Sequence, residues 1–232
     1  MRIFKPLVLA ISVALVLPLQ SFATEIPTSF QIKGAGYGHG VGMSQIGARA
    51  KAMAGEIDFT QSLITRVETL SGLDESVLKA VRDEVTLTNG AKELVEALHK
   101  QGHKVGVVSG GFIDVIEPIL KQLNIDFYRA NKLEIQNGKL TGKIEGKIID
   151  RAEKLVALKE FARNEGVDLQ QTVAIGDGAN DLDMVETAGL GVAYNAKAAL
   201  REKADTSISV PNLDALLYLM GFNRSEIEAT SL

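Results

Sequence analysis

Ala174-Ile175-Gly176-Asp177-Gly178-Ala179-Asn180-Asp181, AIGDGAND, sets two carboxylates four residues apart in a glycine-rich turn. The turn directly follows the apolar run Thr172–Ile175, which reads as a buried strand. At the end of a strand, Asp177 can face a hard cation with an oxygen ligand. Asp181, one helical turn on, can hold a metal-bound water or a lysine. The plainer alternative is that Asp177 and Asn180 only cap the next helix. The surrounding chain decides between these readings.

From about residue 88 onward, short apolar runs alternate with helical patterns. Thr88 opens a helix to Gln101, Lys104–Val108 (KVGVV) is a strand, and Gly111 leads into a helix to about Leu123. Leu133–Ile135 and Lys139–Thr141 flank Asn137-Gly138, a hairpin signal. A helix from Asp150 to Asn164 is followed by strand Thr172–Ile175, helix Asn180–Ala188 and strand Leu190–Ala193. A strand at Ser207–Val210 and a helix at Leu213–Met220 close the pattern. Such alternation predicts an α/β fold, a Rossmann-like parallel sheet with helices on both faces. Ligands of these sheets bind at the carboxyl ends of the strands, which selects the loops after Val108 and Ile175. The first of these is Ser109-Gly110-Gly111: a hydroxyl, two glycines and a helix start, a set suited to a phosphate oxygen. Between the two loops, Lys154 can neutralise a phosphoryl group as a point charge.

The bulk numbers narrow the class further. The chain has 232 residues, is 46% hydrophobic and carries a net charge of −4, so nothing global points to a nucleic-acid partner. Cysteine is absent, which removes disulfides, thiolate metal sites and a cysteine nucleophile. At the N-terminus, Arg2 and Lys5 precede an apolar run from Leu7 to Leu17 broken by Ser12, and Ser21-Phe22-Ala23 resembles a cleavage site. Residues 1–23 therefore read as a signal peptide that is removed, with no stable membrane span left behind. The expected location is exported or periplasmic.

Taken together, the motifs resemble a known family. AMAGEIDFTQSLITRVETLSGL, KVGVVSGGF, ANKLEIQNGKLTGKIEG, DRAEK and TVAIGDGANDLDM, spread over residues 53–222, are similar to the phosphoserine phosphatases of the haloacid dehalogenase superfamily. The resemblance implies magnesium-dependent hydrolysis of O-phosphoserine to serine and phosphate, a cytoplasmic step of serine biosynthesis. One aspartate attacks phosphorus and a second acts as general acid and base. It further implies that Ser109 and Gly110 bind phosphate, that Lys154 holds nucleophile and phosphate, and that Asn180 meets the phosphate. Asp177 would bind Mg2+ with Asp181 in support. In a partial helical cap, Met53, Phe59 and Arg66 would enclose the substrate, the arginine gripping its carboxylate.

The family's first motif, D-x-D-x-[T/S] after an apolar strand, is not found. Asp181-x-Asp183 belongs to the AIGDGAND turn, and neither Glu25 nor Glu56 has the right context. The first central strand is therefore expected to be missing, with Phe30–Lys33 as a candidate surrogate that would deliver Gly34-Ala35-Gly36 in place of the aspartates. GAGYGHGVGMSQIGARAKAMAG instead resembles the terminal signature of the sporulation stage II protein D, or amidase-enhancer, family. That likeness raises an alternative, an exported protein in contact with peptidoglycan. His39 in that loop reads as structural, and His99 and His103 as surface residues. The expected organisation is a signal peptide to residue 23, the glycine-rich signature at 24–55, a cap remnant at 56–87, the phosphatase-like core at 88–222 and a tail. Catalysis is expected to be impaired, with a pseudoenzyme that binds phosphoserine or phosphate as the alternative.

Overall fold

The computed structural model describes residues 8–11, 58–223 and 225. The strands are β1 (Val8–Ile11), β2 (Lys104–Phe112), β3 (Phe127–Gln136), β4 (Lys139–Glu145), β5 (Thr172–Gly176), β6 (Leu190–Tyr194) and β7 (Thr206–Ile208). They form one sheet in the order β4-β3-β2-β1-β5-β6-β7. Every pairing is parallel except the β3–β4 hairpin, which turns at Asn137-Gly138 as its sequence predicts. Both turn residues have positive φ, the conformation that a tight hairpin demands. The helices are α1 (Phe59–Glu68), α2 (Val77–Glu84), α3 (Ala91–Lys100), α4 (Ile113–Gln122), α5 (Arg151–Asn164), α6 (Leu182–Thr187), α7 (Ala198–Arg201) and α8 (Ala215–Leu219).

One expectation is overturned at the centre of the sheet. The middle strand is not missing: Val8–Ile11 occupies it. Val8, Leu9, Ala10 and Ile11 register with Lys104–Val107 on one side and Thr172–Ile175 on the other. The strand comes from the segment read as removable, and the surrogate Phe30–Lys33 lies outside the described residues. The physical reason is that a short apolar run serves equally as a hydrophobic signal core or a buried strand, and periodicity does not separate the two. Two buried neighbours with open ladders favour the strand, because each unpaired backbone group is costly.

Smaller differences have local causes. The helix expected from Thr88 begins at Ala91, with Gly90 at the cap in a left-handed conformation (φ 79°). The Asp214 side chain lies where a Cβ on residue 90 would sit, 2.2 Å from its Oδ1, so only glycine fits there. Phe127–Ala130, which alternates poorly, extends β3 alongside β2. The helix expected from Asp150 starts there, and Asp150 caps α5, accepting from the Glu153 N–H at 3.0 Å.

At the edge away from the candidate loops, Asp126 anchors the entry to β2. It accepts from Lys104 Nζ at 2.8 Å and the Val105 N–H at 2.9 Å, and it lies 2.8 Å from His99 Nε2. His99 thus has a defined partner while keeping 28% of its side chain exposed, and His103 is buried, edge-on to Phe222, not the surface residue expected from sequence. Burial pushes the Asp126 carboxyl up, but its hydrogen bonds to Lys104, Val105 and His99 outweigh that and hold it below the usual value of 3.8. A carboxyl whose folded pKa is depressed adds stability above its unfolded pKa and loses it as pH falls through the folded one. Asp126→Asn is therefore expected to melt lower than the parent at neutral pH, the gap closing only in melts taken below pH 3.8.

Candidate active site

The strand ends bring the predicted residues together. β2 and β5 flank β1, so the turns after Val108 and Ile175 lie on the same side of the sheet. Between Ser109 and Phe112 the β2–β3 register shifts, and this irregularity carries Gly110-Gly111. Ser109 is buried, and its Oγ accepts from the Gly111 N–H at 3.0 Å.

The AIGDGAND turn is organised by Asp181. Its Oδ2 accepts from the N–H groups of Asp177 (3.2 Å) and Gly178 (3.0 Å). Its Oδ1 accepts from Lys154 Nζ at 2.6 Å, and both side chains are almost wholly buried, at 0% and 2% exposed. Of the two roles open to Asp181, the structure shows the lysine: its oxygens are committed to Lys154 and the turn. A Cβ at position 176 would fall 2.4 Å from the Asp181 Cβ, so Gly176 makes room for this arrangement. Asn180 lies over the turn, its Oδ1 2.5 Å from where a Cβ on Gly178 would be. Arg151 pairs with Asp183, linking the first turn of α5 to α6.

Asp177 directly follows β5, half-buried beside Asp181 and Lys154. Burial, and then the neighbouring Asp181 charge, push its carboxyl above the ordinary range, with Lys154 and Lys197 pulling the other way. A carboxylate that is costly to ionise suits a hard cation, whose charge would offset both effects. Among the described residues there is no cluster of three or more carboxylate or imidazole ligands. If a hard cation binds at Asp177, this one carboxylate would be its described protein ligand, with water and substrate oxygens completing the shell.

The cap residues divide. The Phe59 ring rests on the Gly110–Gly111 loop, its Cζ 2.8 Å from where a Cβ on Gly110 would lie. Arg66 follows two turns later on the same face of α1, and its Nε donates to the Ser62 carbonyl at 3.2 Å. Met53, Glu25, Glu56, His39 and the glycine-rich signature lie outside the described residues. A cleft of about 480 Å³ lies between α1 and β4, lined by Ile64, Val67, Glu68 and Lys143 among others, but Ser109, Lys154 and Asp177 do not line it. No helix among the described residues is long and apolar enough to cross a membrane.

Of the residues named from sequence, Lys154, Asp177, Asn180 and Asp181 gather at the turn after β5, while Ser109, Gly110 and Phe59 gather at the loop within β2. Sequence reasoning missed Asn131, which is fully buried and bonded to both Gly110 and Ile149.

Comparison with known proteins gives a consistent result. The haloacid dehalogenase-like hydrolase family matches residues 42–186. The phosphoserine phosphatase of Streptococcus thermophilus is 44% identical over 181 residues, 78% of this chain and 84% of that protein. The phosphoserine phosphatase of Streptomyces coelicolor is 57% identical over 180 residues, 78% of this chain, and SerB2 of Mycobacterium tuberculosis is 52% identical over 178. In each of these two, the match spans only 44% of the relative's length. Among solved structures, a substrate-bound phosphoserine phosphatase complex superposes with a TM-score of 0.70 at 41% identity, covering 75% of this chain and 83% of that one. An apo phosphoserine phosphatase superposes at 0.72 with 32% identity, covering 92% and 98%.

Proposed function

The chain belongs to the haloacid dehalogenase-like hydrolase family, and from that premise we propose that it binds O-phosphoserine with Mg2+ as a phosphoserine phosphatase does, with the hydrolytic step impaired. The observation that carries this reading is the buried Lys154–Asp181 pair at 2.6 Å, which fixes a cation beside Asp177 at the strand ends. Ser109 and the backbone around Gly110 would contact the phosphoryl oxygens, and Lys154 would offset their charge. Magnesium, held by Asp177, supplies further charge neutralisation when bound. Phe59 and Arg66 close the site on the cap side, the guanidinium matching the carboxylate of an amino acid.

The impairment follows from what succeeds β1. In the family that the motifs resemble, the attacking aspartate stands at the end of an apolar strand. Here β1 ends at Ile11, and Ser12-Val13-Ala14 follow, with no carboxylate among them. Without that group the covalent route through an aspartyl phosphate is closed. The exported alternative rests on the N-terminal segment and the glycine-rich signature.

The test uses the full chain, residues 1–232, with L-phosphoserine and Mg2+, beside Asp177→Asn. Expected is magnesium-dependent binding that the substitution abolishes, with phosphate release no faster than in the Asp177→Asn control. Release that the control removes would show that another group replaces the missing aspartate. Absence of binding in the folded parent would overturn the assignment.

Asp177→Asn also carries a stability prediction of opposite sign. A carboxyl whose folded pKa is raised destabilises the fold once pH exceeds its unfolded value of 3.8. Metal-free Asp177→Asn is therefore expected to melt higher than the parent at neutral pH, the difference fading as pH falls toward 3.8. Equal melting at neutral pH would contradict the buried-carboxylate picture.

A further inference from the structure

Asn131 sits in β3 opposite Phe112, where the β2–β3 register shifts, and it is fully buried. Both ends of its amide are used. Nδ2 donates to the Gly110 carbonyl at 2.9 Å, and Oδ1 accepts from the Ile149 N–H at 2.8 Å. These two partners belong to different parts of the site. Gly110 is in the phosphate loop, while Ile149 immediately precedes Asp150, the cap of the helix that carries Lys154.

The Gly110 contact bears directly on loop geometry. In a trans peptide the carbonyl of one residue and the N–H of the next point in opposite directions. The Gly110 carbonyl is drawn to Asn131, so the Gly111 N–H is turned the other way, and there it donates to Ser109 Oγ at 3.0 Å. That bond uses one acceptor site of the hydroxyl and directs its O–H away from the amide. Between two glycines, no side chain resists rotation of this peptide unit, and glycine populates both signs of φ readily. A rotated peptide would release the Ser109 hydroxyl and present a carbonyl oxygen to an incoming phosphate, where like partial charges repel.

We propose that Asn131 is a positioning residue for the phosphate site, setting the Gly110–Gly111 peptide plane and holding that loop in register with the Lys154 helix. The role rests on the phosphate-binding reading given above, but the peptide orientation can be tested without it. One amide thus joins the two halves of the anion site from behind, touching neither the phosphate nor the lysine ammonium.

Two full-length variants separate its bonds. Asn131→Asp keeps an oxygen for the Ile149 N–H but, ionised, has no proton for the Gly110 carbonyl. Asn131→Leu removes both. Amide exchange by 1H–15N NMR is read at Gly111 and Ile149, and dissociation constants are measured for inorganic phosphate with Mg2+. Expected for Asn131→Asp is exchange at Gly111 faster by about tenfold, the scale of one hydrogen bond, with Ile149 still protected. In Asn131→Leu both amides lose protection. Phosphate should bind about tenfold more weakly in each variant, the loss persisting in the uncharged leucine protein. Unchanged Gly111 exchange in both variants overturns the proposal, as does phosphate affinity equal to the parent's alongside a lowered melting temperature. If the leucine variant does not fold, the aspartate variant alone decides through Gly111. If the parent binds no phosphate, the functional reading fails, and exchange at Gly111 still decides whether Asn131 sets the peptide plane.

Discussion

Residues 24–232, prepared without the first 23, are expected to show no cooperative melting transition under conditions where residues 1–232 do. Removing Val8–Ile11 opens the sheet at its centre, leaving β2 and β5 each without the partner they share. Several backbone groups then lack partners in a buried setting, at about 1–3 kcal/mol each. A domain stable by only ~5–15 kcal/mol does not absorb several such losses. A finer version leaves the length unchanged: Ala10→Pro in the full chain deletes one ladder donor in mid-strand, a position that proline does not tolerate in a central strand. Circular dichroism melts of the three proteins provide the check. If residues 24–232 melt cooperatively within a few degrees of the parent, β1 is dispensable and the sheet closes some other way.

The second large effect is expected at Lys154. Its ammonium and the Asp181 carboxylate form a pair withdrawn from water. Substituting Lys154→Met leaves the carboxylate buried with only the two turn N–H groups as partners. Breaking a buried pair from one side costs about 3–5 kcal/mol. For a domain of this size that lowers the melting temperature by roughly 10 °C. The double variant Lys154→Met/Asp181→Leu is expected to regain only part of the loss, because the Asp177 and Gly178 amides then have no acceptor. A double-mutant cycle that returns the full parental stability would show that Asp181 does not organise the turn.

The division between what was legible in the sequence and what was not has physical causes. Thr172–Ile175 and Lys104–Val108 were readable because strands covered on both faces form continuous apolar runs bounded by glycine turns. The Ser109 and Asp177 loops followed from the rule that places ligands at strand ends. The start of the helix at Asp150 was readable because its cap acts only three residues away, within reach of local pattern. Asn131 was not, since its partners are 21 and 18 residues distant and nothing local marks them. For Asp181 a lysine was one of two partners open from sequence, but which one could not be read, since Lys154 lies 27 positions earlier. At β1 local pattern was ambiguous in itself: a run selected to be apolar enough for a lipid-facing signal is also apolar enough for the middle of a sheet.

That position of β1 sets a clock. Val8–Ile11 is made first, but one of its two neighbours, Thr172–Ile175, is made about 160 residues later, roughly 10–30 s at synthesis rates of ~5–20 residues per second. Until β2 emerges this apolar segment has no strand to pair with, and until β5 emerges it has a partner on one side only. Any factor that captures exposed apolar segments works within this window, and once β5 has paired with the strand, the window shuts. Whether a given molecule keeps Val8–Ile11 inside the fold is then decided by relative rates during translation, so slowing elongation between β2 and β5 would shift the outcome without altering a single residue.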